Sequence, residues 1–592
     1  MVLNDTALAE RETKIFPSDD IVSPRFPIYT RANTGEVFTV ASSPFTWSLF
    51  GRVDYEGGFR DALIRMGAFT AEDFSEEGPG RCVCVASFGG YIYISVSISR
   101  ILGVRAPGMT PEAIDQSFFG EHPDVRPYRA HPDDEDEERS AATGAWMNQI
   151  LTAPDADAVN RGHRQAIEEL VAARPDLTKL SNTDLVARAR WLAEELRPVF
   201  ATHMVNLYGA TIISGTISAG CRAAGRPDLE SKVISGFGDV DSARQSFELW
   251  SLSRIIRSSP TLTAEFDKGL DGLSDRLLTL SGPDVDEFFD RWDAFMLDWG
   301  FIGPSVWELR SATYGTEPSI VLHMLEGARK VADEGSPQTR TASFIDERAS
   351  AIATVIALLE GTELHGPFQA AAAAAQIALP GREGSKVLCT RLVDEARITM
   401  RELGQRFVRN GQFEKWTDIL LLLDSEIDDF LANPAPWEAA ISDRRATLLD
   451  LEGRTPPFII DSEYPSIEDF VSESTGELAK ATVGETLTGL GVSPGTHTGY
   501  VKVVESIEDD VEIEPGDILV ANTTDSSWGA LFLSAGALIA QTGAPVSHAA
   551  IVSRELGIPA SVSVPFAMQR LVTGMKVSVD GNTGVVEVLE VP

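Results

Sequence analysis

One histidine stands where its neighbours equip it for chemistry. It lies in Gly543-Ala544-Pro545-Val546-Ser547-His548-Ala549-Ala550-Ile551-Val552-Ser553-Arg554-Glu555-Leu556-Gly557. Gly543 and Pro545 favour a turn, Ser547 is a good N-cap, and Ala549 to Leu556 favour a helix that Gly557 closes. His548 then falls in the first helical turn, where free N–H groups and the helix dipole favour an anion. An imidazole there can attack a phosphoryl group and hold it as phosphohistidine, splitting one hard transfer into two easier ones. The plainer alternative is a histidine that only caps or packs at a helix start.

A second group follows Pro380-Gly381: Arg382-Glu383-Gly384-Ser385-Lys386, leading into a helix. Arg382 and Lys386 are four apart and share one helix face. Two cations so placed can clamp a phosphoryl group while charge develops on it. The same spacing also suits an ordinary solvated basic edge.

The elements that must position these residues divide the chain in two. From about 140 to 450 apolar residues recur at three- and four-residue spacing, with caps such as Ser181-Asn182-Thr183-Asp184, which predicts helices. Within the stripe from Leu185 to Leu207, His203 is a core or pocket-rim residue or a catalyst. Ala370 to Ala375 favours a helix packed closely on a neighbour. Residues 81–97 alternate as a strand or hairpin, and Asp133 to Glu138 is a like-charge run expected to be solvated and mobile. Beyond about 483 short strands separated by Gly, Pro and Asp turns, with a helix after His548 and another near Phe566–Leu571, make a compact β/α unit. The expected layout is therefore multidomain α+β: a flexible lead (1–20), a large, mainly helical substrate-binding domain (21–454), a linker (455–482) and a small swivelling domain (483–592).

Composition narrows the function. A chain of 592 residues that is 43% apolar has enough material for packed cores in several domains. A net charge of −38 argues against nucleic acid or anionic membrane as a partner. Four cysteines suggest a reducing compartment, and Cys82-Val83-Cys84 without a second pair is a weak metal signal, so no metal site is expected. There is no apolar signal core and no run of 18 apolar residues, which predicts a cytoplasmic protein with no membrane span.

The string around His548 resembles the phosphohistidine (swivelling) domain of the phosphoenolpyruvate synthase and pyruvate phosphate dikinase superfamily, whose pattern runs Gly-Gly-x-x-Ser-His-Ala-Ala-Ile-Val-Ala-Arg-Glu-Leu-Gly-Ile-Pro-Ala. The likeness extends upstream through Pro515-Gly516-Asp517-Ile518-Leu519-Val520 and Thr524-Asp525 to Trp528, and downstream to Val579-Asp580-Gly581-Asn582-Thr583-Gly584. Ala544 replaces the second glycine and Ser526-Ser527 a proline-containing pair. The resemblance implies that His548 carries the phosphoryl group, with Ser547, Arg554 and Glu555 supporting the carrier domain.

Four earlier segments resemble rifampin phosphotransferases. Arg31 to Phe38 with Ser43-Pro44-Phe45-Thr46-Trp47-Ser48 is similar to the opening of their substrate domain, Gly236 to Ala243 and Asp298 to Leu309 to its helical part, and Arg382-Glu383-x-x-Lys386 to a site where substrate domain and phosphohistidine meet. Glu36 is then a base, a polar pocket group or a surface carboxylate. Phe45, Trp47 and Trp307 are candidate substrate contacts, with core packing the alternative for the first two. Glu383 supports the two cations or acts as a base. Ile302 stands where relatives have arginine and makes that vicinity more apolar.

ATP-grasp and pyruvate-barrel features are not found in the sequence, a split that resembles phenylphosphate synthase and 4-alkylphenyl phosphate synthase. It implies that a separate ATP-grasp subunit, using ATP and Mg²⁺, loads His548 with release of AMP and phosphate, and that this chain itself binds no cofactor tightly. A small phenol then attacks the phosphohistidine, Arg382 and Lys386 stabilise the moving group, and Glu36 or His203 accepts the proton. Two alternatives stand beside this: the same chemistry on another hydroxyl compound such as an antibiotic, and a non-catalytic carrier or regulatory subunit.

Overall fold

The computed structural model describes residues 15–32, 34–77, 81–119, 125–152, 156–238, 240–472, 478–507, 513–545 and 547–592. A small antiparallel sheet near the N-terminus holds β1 (Ile28–Thr30), β2 (Val85–Phe88), β3 (Tyr91–Ser95) and β4 (Ile459–Asp461), in the order β2-β3-β1-β4. Every residue of the β2–β3 hairpin is buried, so this sheet is core on both faces rather than half-wet.

Against it stand two long helices, α1 (Asn182–Ala223) and α3 (His365–Arg409), with α2 (Asp241–Ser258) between them in sequence. Ser181 caps α1 through the expected capping box with Asp184. Ala371, Ala372, Ala374 and Ala375 are buried in one cluster with Ile213 and Ile217 of α1, the close approach that small side chains allow. The helix does not start afresh after Pro380-Gly381. Pro380 lies inside a continuous helix of 45 residues. Proline removes one backbone hydrogen bond, but the flanking turns are packed on both sides, and Asn160 donates a side-chain amide to the Gly381 carbonyl at 2.7 Å.

Two other expectations change. Residues 1–14 lie outside the described residues, but 16–20 are packed rather than a free lead. Asp19 is fully buried and accepts from Gly90 N (2.8 Å) and Ser87 Oγ (3.0 Å), while Asp20 accepts from Trp47 Nε1 (2.8 Å). The expected linker is largely part of the acceptor domain: β4 pairs with β1 and Phe470 is buried; 473–477 lie outside the described residues. The acidic run at 133–138 is largely solvated as expected, but within it Asp134 is buried and accepts from Arg25 Nη2 (2.5 Å), Tyr128 OH (2.6 Å) and His131 N (2.9 Å). A carboxylate with three donors is anchored, whatever its neighbours' charge.

The C-terminal unit is an eight-stranded sheet of β5 (Thr486–Thr488), β6 (Leu490–Ser493), β7 (Thr496–Val503), β8 (Ile518–Ala521), β9 (Ala537–Ala540), β10 (Ala560–Val562), β11 (Lys576–Asp580) and β12 (Val585–Glu590). Its order is β5-β12-β11-β7-β8-β9-β10-β6, with β7 to β10 parallel. Alternation sends Leu519, Leu538 and Ala540 into one core and Val520 and Ile539 into another on the opposite face. Helix α4 (His548–Leu556) follows β9, so His548 emerges beyond the carboxyl end of a parallel strand, a usual place for chemistry in such sheets.

Candidate active site

Local chemistry builds the carrier end. Ser547 caps α4 by accepting from Ala550 N at 3.4 Å, and Gly557 ends it in the left-handed region at φ 68°. His548, the first helical residue, is fully buried against the acceptor domain. Thr524, from the loop after β8, engages its Nδ1 at 3.1 Å, which leaves Nε2 as the nitrogen open to a phosphoryl group. Burial, together with the cations Lys386 and Arg382, pushes the imidazole down to about 3, so it is neutral and nucleophilic.

The acceptor end is assembled from distant segments. Arg382, Glu383, Ser385 and Lys386 occupy one stretch of α3, all buried. Arg382 Nη1 pairs with Glu383, and Lys386 Nζ lies 3.8 Å from Glu36 Oε2. Burial raises the Glu36 carboxyl above its ordinary range, opposed by Lys386 and Arg382 and by the backbone N–H of His548. His203 of α1 reaches across to Ser385 Oγ at 3.1 Å; burial and the two cations hold it down to about 3, hence neutral. Among the described residues, His548 Nε2, Lys386 Nζ and Arg382 Nε are buried without a hydrogen-bond partner. Two buried cations beside a neutral imidazole suit an anion with several acceptor oxygens, which could accept from Arg382 and Lys386.

Behind this polar end lies an apolar cavity of about 60 Å³ that Glu36, His203, Arg382 and Lys386 help to line. Its walls are aromatic. Tyr55 stacks on Trp307 (5.4 Å, 18°), and Phe200 meets both edge-on at 4.9 and 5.8 Å. Trp47 also lines the cavity, whereas Phe45 packs in the core away from it and Ile302 is buried in a separate cluster. The expected contacts Trp47 and Trp307 are therefore at the site, and Phe45 and Ile302 are not.

Residues that sequence reasoning missed shape these walls. Trp47–Tyr55 is a π-helix, and a Cβ on Gly51 would stand 2.4 Å from the Trp47 indole, so glycine there makes room for the ring. Glu308, fully buried, accepts from Ser42 Oγ (2.8 Å), Ser43 N (3.0 Å), Ser43 Oγ (2.7 Å) and Thr46 Oγ1 (3.0 Å), tying the Trp47 turn to Trp307. Arg397 Nη2 braces the same segment through Val306 O (2.7 Å). The signal was present as Ser42-Ser43-x-x-Thr46 and an acid beside Trp307, but nothing local links them.

The carrier's sequence, His548 included, finds its counterpart in known proteins. Residues 513–584 match the family "PEP-utilising enzyme, mobile domain". The C-terminal unit is a PEP-utilising mobile domain. Residues 196–383, carrying His203 and Arg382, match the rifampicin phosphotransferase fourth domain. The chain is 26% identical over 589 residues to uncharacterized proteins of Mycobacterium bovis and Mycobacterium tuberculosis, covering 97% of this chain and 62% of theirs. It thus spans less than two thirds of the length of these relatives. A rifampicin phosphotransferase of Bacillus cereus is 32% identical over 187 residues (31% of this chain, 20% of that one). A probable phosphoenolpyruvate synthase of Archaeoglobus fulgidus is 35% identical over 193 residues (32% and 24%).

Among the described residues no group of three or more His, Cys, Asp or Glu could hold a metal ion, and no helix is long and apolar enough to cross a membrane. Adjacent on α4, Arg554 and Glu555 face different partners. Arg554 donates to Val492 O at 3.0 Å within the mobile domain, but Glu555 reaches the acceptor domain.

Proposed function

We propose that the chain is the phosphohistidine-carrying part of an ATP-dependent phosphotransferase that phosphorylates a small phenolic hydroxyl, His548 being loaded by an ATP-grasp unit on a separate subunit using ATP and Mg²⁺. The observation that carries it is the pair of buried cations Arg382 and Lys386, which help to line an aromatic cavity, with His548 beside them and its Nε2 without a hydrogen-bond partner. In the transfer step the acceptor oxygen forms a bond to phosphorus as the P–Nε2 bond breaks. The electron pair returns to His548, and the hydroxyl proton goes to His203 or Glu36. Arg382 and Lys386 offset the charge on the equatorial oxygens.

A second reading, transfer to a larger hydroxyl compound such as an antibiotic, is favoured by the match of residues 196–383 to a rifampicin phosphotransferase domain. A cavity of about 60 Å³ favours the smaller acceptor.

The test uses ATP labelled at the β-phosphate with the chain alone, with an ATP-grasp partner, and with the partner and His548→Ala. Acid-labile label that requires the partner, is missing from the variant and chases onto p-cresol or phenol is expected. Label that stays on the protein with every phenol, yet leaves with another hydroxyl compound, replaces the first reading with the second. No label from a partner proved competent on another carrier refutes both.

A further inference from the structure

The carrier docks on the acceptor domain mainly by offering backbone carbonyls. Ser246 Oγ donates to Gly529 O (3.0 Å), Tyr314 OH to Ser527 O (3.2 Å) and Arg340 Nη2 to Leu533 O (2.8 Å). Two carrier carboxylates also accept, from backbone N–H groups of the acceptor domain. Asp525 accepts from Ser305 N at 3.3 Å, close to the chemistry. Glu555, far along α4, accepts from Phe237 N at 3.1 Å with one oxygen and from Gly238 N at 3.0 Å with the other.

The recess that receives Glu555 is shaped by the acceptor domain alone. Gly236 and Gly238 are left-handed, at φ 69° and 80°, which turns successive N–H groups toward one point. A Cβ on Gly236 would meet Phe344 at 2.8 Å, so glycine is needed there twice over. Arg348 braces the turn from behind, donating to Gly236 O (2.7 Å) and Ser235 O (3.2 Å) while its guanidinium lies 4.9 Å over the Phe237 ring. Two converging N–H groups backed by a cation fit a carboxylate.

Helix geometry connects this recess to the reaction. Glu555 is seven residues from His548, about two turns along the same face of α4. Between them Ile551 is buried with Val240 and Ala243 at the start of α2. One face of α4 therefore carries the phosphoryl-bearing residue, an apolar contact and the carboxylate, all turned to the acceptor domain.

We propose that Glu555 is the positioning residue that latches the phosphohistidine carrier at the acceptor site, its carboxylate filling the recess formed by the N–H groups of Phe237 and Gly238 and so holding His548 in register with Arg382 and Lys386. The proposal rests on His548 being the carrier. The latch must open for loading, because His548 is fully buried in the docked pose. Charge-assisted hydrogen bonds exchanged for water on release suit a reversible catch.

The test needs neither the ATP-grasp partner nor an acceptor. Potassium phosphoramidate phosphorylates exposed histidine directly, so its rate on the full chain reports how often His548 leaves its seat; His548→Ala identifies that label. Glu555→Gln keeps the size and removes the charge. It is expected to load about tenfold faster than the native chain and to be more extended in small-angle scattering, with an unchanged carrier melting midpoint. Arg348→Met, which frees the turn from the other side, is expected to act in the same direction. Equal loading rates and superimposable scattering profiles for the native chain and both variants overturn the latch. If no protein takes label, the scattering comparison decides alone. Label that never passes to a phenol counts against the acceptor reading and leaves the latch measurement intact.

Discussion

The two halves of the candidate site are built in opposite ways. The carrier end is one contiguous string, in which Ser547, His548 and Gly557 set cap, nucleophile and helix stop within a few residues. The acceptor end draws Glu36, Tyr55, His203, Trp307 and Lys386 from five separate segments and holds them by buried polar hubs such as Glu308. A moving carrier has to bring its chemistry intact to two places, so everything it needs travels on one short module. The acceptor cavity stays where it is and can be assembled from any part of the domain.

Substitutions should separate the halves. His548→Ala is expected to abolish label on the protein and transfer to any acceptor, as read by acid-labile radioactivity. Arg382→Ala or Lys386→Ala is expected to leave loading near normal and slow discharge to acceptor by roughly 10²–10³-fold, the usual cost of losing one transition-state cation or donor. Equal loss in loading and discharge would erase the distinction between the two ends.

Acidity tests the join between them. Docking holds His548 near 3, against an ordinary value of 6.5. The undocked imidazole takes up a proton below 6.5 while the docked one does not, so this group favours docking above 6.5 and loses that contribution as pH falls toward 3. Glu36 and Asp525, whose carboxyls burial raises, act in the reverse sense. Comparing the native chain with His548→Asn by small-angle scattering between pH 7 and 5 isolates the histidine. The native chain should lose up to about tenfold more docked population per pH unit below 6.5 than the variant.

The smallest effect is expected at the cavity wall. Gly51→Ala forces a methyl group against the Trp47 indole and should cost about 1–3 kcal/mol, lowering the melting midpoint of the acceptor domain and raising the acceptor KM with loading untouched. A native melt and KM would mean that the π-helical turn does not set the cavity's shape.

What could be read in advance follows the same division. The cap at Ser547, the stop at Gly557 and the capping box at Ser181 were legible because each rests on neighbours in sequence. That Pro380 sits inside one continuous helix was not legible, since tertiary packing outweighs one missing backbone bond. The anchoring of Asp134 within the acidic run was not legible, because its partner Arg25 lies 109 residues away. Arg382 and Lys386 were visible as a spacing. The aromatic cavity beside them was visible only in part: Trp47 and Trp307 stood out as candidate contacts, whereas Tyr55 and Phe200 announce only that they are apolar. Glu555 was read as support for its own domain, although its partners are two backbone groups more than 300 residues away.

The dryness of His548 in its seat has a kinetic meaning. An unphosphorylated carrier resting against Glu36, Arg382 and Lys386 stands where an acceptor's hydroxyl and the incoming phosphoryl group have to meet. The idle carrier is then a tethered competitor for its own substrate's place. On the proposed function, a chain short of phosphoryl donor would silence itself without any effector, and with donor plentiful the same contact would guard the labile P–N bond from water until an alcohol arrives.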